Sequence, residues 1–310
     1  MSALASDRRL GEAPAGRPAQ ARPFLKWAGG KGQLLEELSS RLPARFGRYF
    51  EPFVGGGALY FALHGAGRLR AGAGLSDANG KLIDTYRAVR DDVEAVIAHL
   101  SAFSNDRDLY YQVRAWRHED LDPPRAAARI IFLNKTCYNG LFRENSRGEF
   151  NVPFGRYVRP TICDAPNLRA VATALRRVSL RQQDFGNVPD RVKPGDLVYF
   201  DPPYHPRSAT SSFTQYSENG FGEDEQRRLA RVVRELDARG AYVMLSNSDT
   251  PFIRKLYAGL VIDEVLAGRA INSKAARRGK VTELIVRNYG AAAPRRSRTA
   301  RQGGSRAGRS

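Results

Sequence analysis

The stretch that most constrains the fold is Leu197–Phe200 (LVYF), which ends in Asp201, Pro202, Pro203 and Tyr204. A short, continuous apolar run is typical of a strand buried on both faces of a parallel sheet. Proline has no backbone N–H and cannot extend the ladder, so the strand must end there. In open α/β sheets, the carboxyl ends of the strands form the ligand crevice. The stretch therefore predicts a carboxylate and an aromatic ring in that crevice.

The rest of the chain alternates between strand-like and helix-like runs. We predict strands over 48–54, 197–200, 241–246 and 281–288, and helices over 58–65, 81–100 and 223–239. This alternation favours an α/β fold around a largely parallel sheet. Between residues 90 and 178, helical segments alternate with polar loops and strand signals are scarce. We interpret this region as an insertion between two halves of the α/β core.

Both ends of the chain have the composition of disordered segments. Residues 1–22 are rich in Ala, Pro, Gly and Arg, and residues 290–310 contain six arginines and no acidic residue. The predicted core therefore comprises 23–90 and 179–289, with 91–178 inserted. The formal net charge of +18 indicates an anionic partner in preference to a merely solvated basic surface.

Composition also excludes several classes of protein. No stretch approaches the roughly 20 apolar residues of a membrane span. The N-terminus lacks the apolar core of a signal peptide. Two cysteines, Cys137 and Cys163, are too few for a disulfide framework or a zinc cluster, and the four histidines lack ligand spacing. We expect a cytoplasmic monomer that acts without a metal and away from membranes.

A glycine turn follows the first predicted strand, in the run EPFVGGG over 51–57. Glycines at such a place let the backbone approach a ligand closely. Asp77 comes twenty residues after Gly57, at the offset where an acid accepts hydrogen bonds from ribose hydroxyls. A structural turn and a helix N-cap at Asp77 would explain the same residues, and spacing does not decide. The run matches neither G-x-G-x-x-G nor G-x-x-x-x-G-K-[ST].

The run FLKWAGGK over 24–31 combines two aromatics, a glycine pair and two lysines in eight positions. A lysine beside a glycine turn suits a carboxylate or phosphate, and a tryptophan suits stacking on a ring. A surface turn with inward-packed aromatics explains this run equally well when the run is taken alone.

The residues after LVYF suit a nucleobase. Asp201 and a proline carbonyl are both hydrogen-bond acceptors, and Tyr204 presents a ring for stacking. The prolines stiffen the turn and leave their carbonyls available, so carboxylate and carbonyl can both accept from one amino group. The alternative is a rigid turn without a ligand.

Together these motifs resemble the Dam family of DNA adenine-N6 methyltransferases, which use S-adenosylmethionine. The likeness runs from Phe24 to Tyr289 and includes FLKWAGGK, EPFVGGG, SDAN, LNKTCYNGLFRENSRGEFNVPFGRY (133–157), DPPY, FTQYSENGF, LSNSDT and GKVTELIVRNY. Other amino-methyltransferases share DPPY, whereas the 25-residue run and the order of the motifs are more specific. The resemblance implies a doubly wound, Rossmann-like methyltransferase sheet with an inserted helical DNA target-recognition domain.

The resemblance also implies roles for individual residues. S-adenosylmethionine would be bound by Trp27, Lys31, Phe53, Gly55, Asp77 and Asp201. The target adenine in double-stranded DNA would be held by the catalytic residues Asp201, Pro202, Pro203 and Tyr204. DNA would be contacted by Lys26, Tyr138, Asn139, Leu141, Arg143 and Tyr157.

The implied activity is methylation of N6 of an adenine flipped out of the duplex. The family's recognition sequence, GATC, is here a hypothesis, because Phe142 stands where the family usually has a smaller residue and Lys135 where arginine is common. Two alternatives are a catalytically silent DNA-binding module and an RNA adenine methyltransferase. The presence of both ligand motifs disfavours the first, and the long insertion disfavours the second.

Overall fold

The computed structural model describes residues 20–27, 30–207, 221–268 and 280–290. Most of the predicted disordered lead and nearly all of the arginine-rich tail therefore lie outside the described residues. So do two positions of FLKWAGGK and most of FTQYSENGF.

Seven strands form one sheet in the described part of the chain. They are β1 (Tyr49–Glu51), β2 (Ala73–Asp77), β3 (Val178–Gln182), β4 (Leu197–Phe200), β5 (Tyr242–Ser248), β6 (Val261–Gly268) and β7 (Lys280–Arg287). Their spatial order is β3-β2-β1-β4-β5-β7-β6. All pairs from β3 to β5 are parallel, and β7 runs antiparallel to both of its neighbours. The prediction of a largely parallel sheet is confirmed.

Strands β2, β3 and β6 were not predicted. β3 and β6 lie at edges of the sheet and are partly exposed, and β2 (AGLSD) contains glycine, serine and aspartate, so none of the three has a continuous apolar run. The first predicted strand, 48–54, is also shorter than expected, because the glycine turn begins soon after β1 ends at Glu51.

The helices in the described ranges are α1 (Leu35–Ser40), α2 (Ala58–Gly65), α3 (Gly80–Asp91), α4 (Val93–Ser101), α5 (Arg107–Ala115), α6 (Pro123–Thr136), α7 (Ala165–Leu175), α8 (Glu223–Ala238) and α9 (Pro251–Leu256). The prediction of one helix over 81–100 is wrong, because Asp92 separates α3 from α4. Asp92 has a non-helical φ of −147°, and its carboxylate accepts a hydrogen bond from the backbone N–H of Ala95. A new N-cap therefore begins α4.

Helices cover both faces of the sheet. In β4, Tyr199 packs into the hydrophobic core that contains residues of α2, α3 and α6. Val198 and Phe200 point to the opposite face and pack into a second core with residues of α8. Because successive side chains of a strand face opposite sides, this division requires a layer of helices on each side. The prediction of a doubly wound α/β fold is confirmed.

The segment between β2 and β3 is largely helical and contributes α3 to α7. Most residues of α6 are buried, and α6 packs against α3 and α4. The segment also contains two isolated β-bridges, Cys137–Phe154 and Glu144–Phe150. The boundaries 91–178 and the role of this segment in DNA recognition remain predictions.

Within the described ranges, no helix is long and apolar enough to cross a bilayer. The same ranges contain no group of three or more His, Cys, Asp or Glu side chains that could hold a metal ion. The expectations about metal, cellular location and oligomeric state remain predictions.

Candidate active site

The candidate site lies where the winding of the sheet reverses, between β1 and β4. Three predicted groups follow strands that end at this edge: the glycine turn after β1, Asp77 at the end of β2 and Asp201 directly after β4. The carboxyl ends of parallel strands at a reversal of strand order form the usual ligand crevice of such sheets. The fold therefore brings together motifs that are far apart in the sequence.

The glycine turn contacts both Trp27 and Asp77. Gly55 has a φ of +45°, and a Cβ atom there would stand 2.6 Å from Cδ1 of Trp27. Both the backbone conformation and the close approach of the indole therefore require glycine. The backbone N–H of Gly55 donates to Oδ2 of Asp77 at 3.3 Å. Trp27, Gly55 and Asp77 thus form one continuous surface.

Asp77 is half-buried and is held by backbone groups. Its Oδ1 accepts the backbone N–H of Asn79 at 3.0 Å. Burial raises the pKa of Asp77, while hydrogen bonds from the backbone of Asn79, Gly55 and Ala78 act in the opposite direction. The N-cap of α3 is Asn79, whose side chain accepts from the N–H of Leu82 at 3.1 Å. The alternative that Asp77 caps this helix is therefore excluded.

Phe53 belongs to an aromatic group at the ends of β1 and β4. Its ring stacks on Phe185 with centroids 5.3 Å apart, and it meets Phe221 edge to face at 5.7 Å. Phe200, the last residue of β4, is also an edge-to-face neighbour at 6.4 Å. Phe53 is therefore held rigidly beside the glycine turn.

The Asp201 carboxylate is held by two side chains of the site, Lys31 and Ser246. Its Oδ1 lies 2.8 Å from Nζ of Lys31 and accepts a hydrogen bond from Oγ of Ser246 at 3.1 Å. Oγ of Ser246 is in turn 2.7 Å from the hydroxyl of Tyr199, and both of these residues are buried. Burial raises the pKa of Asp201, whereas the Lys31 ammonium and the Ser246 hydroxyl lower it. The carboxylate is thus fixed in position.

Tyr204 is fixed at both ends of its side chain. Its hydroxyl donates to Oε2 of Glu283 at 2.9 Å, and Nζ of Lys31 lies 4.5 Å from its ring centroid. Burial raises the pKa of Tyr204 well above its usual value, so the phenol remains a donor at neutral pH. Glu283 is the fourth of the eight residues of β7, and the antiparallel pairing of β7 with β5 sets it opposite Ser248, the last residue of β5.

The proline turn is braced from α8 and β5. Nε2 of Gln226 donates to the carbonyl oxygen of Pro203 at 2.8 Å, and Oε1 of Gln226 accepts from Nδ2 of Asn247 at 3.0 Å. The Pro203 carbonyl therefore already accepts one hydrogen bond. The carbonyl of Pro202, which is buried, stays the predicted acceptor for a ligand.

Glu51 is a buried acid that the sequence analysis did not assign to the site. It is 3% exposed, and its Oε2 accepts from the hydroxyl of Tyr49 at 2.8 Å. Burial raises the pKa of Glu51 to about 8, and the Tyr49 hydrogen bond only partly offsets this. Its carboxyl group is therefore mostly protonated at neutral pH, and it adds little negative charge beneath Asp201.

The predicted DNA contacts fall into two groups, of which the first is built around Lys26. Nζ of Lys26 lies 3.8 Å from the ring centroid of Tyr157, so these two residues meet as expected. The backbone N–H and carbonyl of Lys26 are both bonded to the side chain of Asn134, at 2.7 and 2.6 Å. Asn134 also donates to the carbonyl of Gly140 at 3.0 Å, which joins this group to the second.

The second group begins at Tyr138 and continues into a short hairpin. Tyr138 is 50% exposed, and Asn139 has a φ of +56°, which asparagine tolerates better than most residues. We call residues 141–151 the recognition hairpin. Leu141 is half-buried at its start, whereas Arg143 is exposed and donates from Nε to Oδ1 of Asn151 at 2.8 Å. Leu141 and Arg143, two of the predicted DNA contacts, therefore lie on one hairpin.

Sequence reasoning missed four residues that support the site: Glu51, Gln226, Ser246 and Glu283. One signal for Ser246 was available, because β5 contains Ser246, Asn247 and Ser248 in succession and all three are buried. Polar residues in a strand that is otherwise apolar are usually paired with one another or with a functional group.

The doubly wound sheet, with its glycine turn after β1 and DPPY after β4, defines a Rossmann-like methyltransferase. The family model for D12 class N6 adenine-specific DNA methyltransferases matches residues 27–271. The type II methyltransferase M.MjaIII of Methanocaldococcus jannaschii is 43% identical over 289 residues, covering 87% of this chain and 100% of the relative. The type II methyltransferase M1.LlaDCHI of Lactococcus lactis is 39% identical over 277 residues, covering 87% and 96%. The DNA adenine methylase of Escherichia coli K12 is 36% identical over 269 residues, covering 86% and 94%.

The chain therefore belongs to the D12 class of N6 adenine-specific DNA methyltransferases. It is an enzyme that methylates adenine in DNA, and its family implies a methyl donor of the S-adenosylmethionine type. The expectation of a Dam-like enzyme is confirmed.

Proposed function

We propose that the enzyme flips its target adenine out of duplex DNA and methylates N6 between Asp201, Pro202 and Tyr204. The observation that carries this proposal is the position of Lys31. Its ammonium is an N–H donor 2.8 Å from Oδ1 of Asp201 and 4.5 Å from the ring centroid of Tyr204. The adenine amino group is an N–H donor on a flat ring, so it suits the same two contacts once Lys31 moves aside. Flipping is required because N6 cannot be reached inside the base stack.

Each of these residues has a distinct task in the proposed reaction. The N6 lone pair is delocalised into the purine ring, which makes N6 a poor nucleophile. Acceptors on Asp201 and Pro202 draw the amino group towards tetrahedral geometry and localise that pair. The Tyr204 ring, held by Glu283, stacks on the base and recovers part of the cost of flipping, about 1–3 kcal/mol. The N6 proton leaves after methyl transfer, and a dedicated strong base is not needed.

The residues around the glycine turn suit S-adenosylmethionine, which supplies a methyl group activated on a sulfonium. Asp77 is placed to accept from the ribose hydroxyls, and its contact with Gly55 keeps the carboxylate at the turn. Trp27 and Phe53 are aromatics beside that turn and are suited to contact the adenine ring of the donor. Positioning and electrostatics then account for most of the rate enhancement.

For DNA recognition, we propose that Lys26 and Tyr157 contact one base pair and that the recognition hairpin contacts others. Tyr138 and Asn139 come just before the hairpin in the chain and would contact the DNA strand near the flipped base. GATC is the proposed target sequence, on the grounds of the motif resemblance. The test is to express the enzyme in a host that lacks adenine methylation and to map modified adenines across its genome. Modification that avoids GATC would refute the target sequence and leave the chemistry standing.

Arg143→Ala is expected to relax sequence preference more than it slows turnover. A bidentate contact from arginine to guanine contributes about 1–3 kcal/mol of discrimination, so the preference ratio should fall by about 5- to 150-fold. The measurement compares kcat/KM for a target duplex with that for duplexes changed at one base pair. Arg147→Ala, at an exposed arginine of the same hairpin, is the matched control. Equal loss of preference in both variants would argue against a base contact by Arg143.

Ser246→Ala is expected to shift the acid limb of the pH–rate profile to higher pH. Asp201 acts as a carboxylate, so activity is lost as pH falls through its pKa. The Ser246 hydroxyl lowers that pKa, and its removal therefore raises it. The measurement is kcat/KM against pH, which reports groups of the free enzyme. Ser248→Ala, two residues along the same strand, should leave the limb in place. An unmoved limb in Ser246→Ala would mean that Asp201 does not titrate in this profile.

A further inference from the structure

Phe142 connects two regions that the proposed function assigns to different ligands. Its ring stacks on Trp27, with centroids 5.4 Å apart and planes inclined by 27°. Trp27 itself lies against the glycine turn at Gly55, the proposed cofactor side. In the sequence, Phe142 stands between Leu141 and Arg143, two of the residues proposed to contact bases. One residue therefore touches the proposed cofactor surface with its side chain and is covalently next to two proposed base contacts.

The recognition hairpin turns Phe142 inward and Arg143 outward. The Phe142 ring meets Phe150 edge to face, with centroids 5.7 Å apart, and Phe150 is buried. Arg143 is exposed, and its backbone carbonyl accepts from the N–H of Asn151 at 3.0 Å. Because side chains alternate along extended chain, Phe142 and Arg143 face opposite ways while sharing one backbone. A movement of that backbone would carry both residues together.

A second contact ties the far end of the hairpin to the same side of the protein. Nζ of Lys81 donates to Oε1 of Glu144 and to the carbonyl of Gly148, both at 2.6 Å. Lys81 lies in the first turn of α3, four residues beyond Asp77. The hairpin thus rests on the proposed cofactor side at two points, Trp27 and Lys81. Its orientation depends on how both points are held.

We propose that Phe142 is a positioning residue that couples binding of the methyl donor to recognition of DNA, an inference that rests on the proposed function. A ligand that orders Trp27 also orders the Phe142 ring stacked on it. The second ligand then meets a surface that is already ordered and loses less conformational entropy on binding. Coupling of this kind is reciprocal, so each ligand raises the affinity for the other by the same factor.

The experiment measures binding without turnover. Trp27 becomes the sole tryptophan in a Trp116→Phe background, since the chain has two tryptophans. S-adenosylhomocysteine is titrated by Trp27 fluorescence with and without a target duplex. In this background, we expect the duplex to tighten the binding of S-adenosylhomocysteine by at least about fivefold, the lower end of typical coupling between sites. The ratio of the dissociation constants without and with the duplex measures this coupling. Phe142→Ala should bring this ratio to about one, and Phe142→Tyr, which keeps the stack, should restore it.

Two further variants separate coupling from general damage to the fold. Phe142→Leu keeps an apolar side chain in the core but removes the stacked ring, and its ratio should also fall to about one. Phe103→Ala removes another aromatic ring from the segment between β2 and β3. The centroids of the Phe103 and Phe132 rings are 4.7 Å apart, and loss of this contact should leave the ratio unchanged.

The inference would be overturned by a ratio near one in the Trp116→Phe background, or by a ratio that survives in Phe142→Ala or Phe142→Leu. Failure of the proposed function would appear elsewhere, as undiminished methyl transfer after substitution of Asp201.

Discussion

Asp201→Asn is expected to slow methyl transfer by about 10³-fold with DNA and methyl donor both saturating. This loss corresponds to about 4 kcal/mol of transition-state stabilisation, the upper range for removal of one preorganised polar group. The substitution removes the charge that makes Asp201 a strong acceptor for the amino group, and it leaves the size of the side chain unchanged. The measurement is single-turnover transfer of a labelled methyl group to a target duplex, because product release does not limit that rate.

The matched control is Asp263→Asn. Asp263 also pairs with a buried cation, since its Oδ2 accepts from Arg287 at 3.0 and 2.6 Å and Arg287 is 3% exposed. Asp263 lies on β6, at the edge of the sheet and away from the crevice. Its substitution should leave the transfer rate within about threefold, so that loss of a buried ion pair alone cannot explain the effect at Asp201. Retention of more than a tenth of the rate in Asp201→Asn would rule out the proposed adenine clamp.

Glu51→Gln is expected to remove a large pH dependence of stability. The folded protein raises the pKa of Glu51 from 4.5 to about 8. Between these values the unfolded chain has lost the proton and the folded chain keeps it, so stability falls as pH rises through this window and levels off above it. Glutamine is uncharged throughout and still accepts from Tyr49. The unaltered protein should therefore lose about 2–5 kcal/mol of its free energy of unfolding between pH 4.5 and 8, and the variant should not.

The measurement is the free energy of unfolding in urea at several pH values from 5 to 8. Glu36→Gln makes the same chemical change at an exposed glutamate of α1. In this variant the free energy of unfolding should change with pH as steeply as in the unaltered protein. A slope that is equally steep in Glu51→Gln would show that Glu51 ionises normally in the folded chain. The result bears on the site, because a neutral Glu51 adds no negative charge next to Asp201.

The features that could be predicted from the sequence are those that depend on residues close together in the chain. LVYF is apolar at four successive positions, and all four are buried, so both the strand and its end at the prolines follow from neighbouring residues. The glycine turn also follows a predicted strand, and parallel strands end on the same side, so the turn and Asp201 meet at one edge. The strand that ends at Asp77 was not predicted. The break at Asp92 was missed because the apolar spacing of α3 continues into α4, and only the N-cap geometry of Asp92 separates them.

The contacts that hold the site could not be predicted from the sequence because they join segments that are far apart in the chain. Lys31 to Asp201, Tyr204 to Glu283 and Pro203 to Gln226 each link residues on different elements. Each pair contains a residue type that is usually solvated, so its burial is visible only once the sheet has formed. The resemblance gave the identity of the ligands but not this support. Glu51 illustrates the limit, since an acid two positions after a tyrosine says nothing about whether the acid is charged.

The pairing of Lys31 with Asp201 also sets a requirement for the base that the proposed clamp accepts. Nζ of Lys31 lies 2.8 Å from Oδ1 of Asp201, so a flipped base must displace this contact before its own amino group can bind there. A base without an amino group in that position would lose the ion pair and form no hydrogen bond in its place.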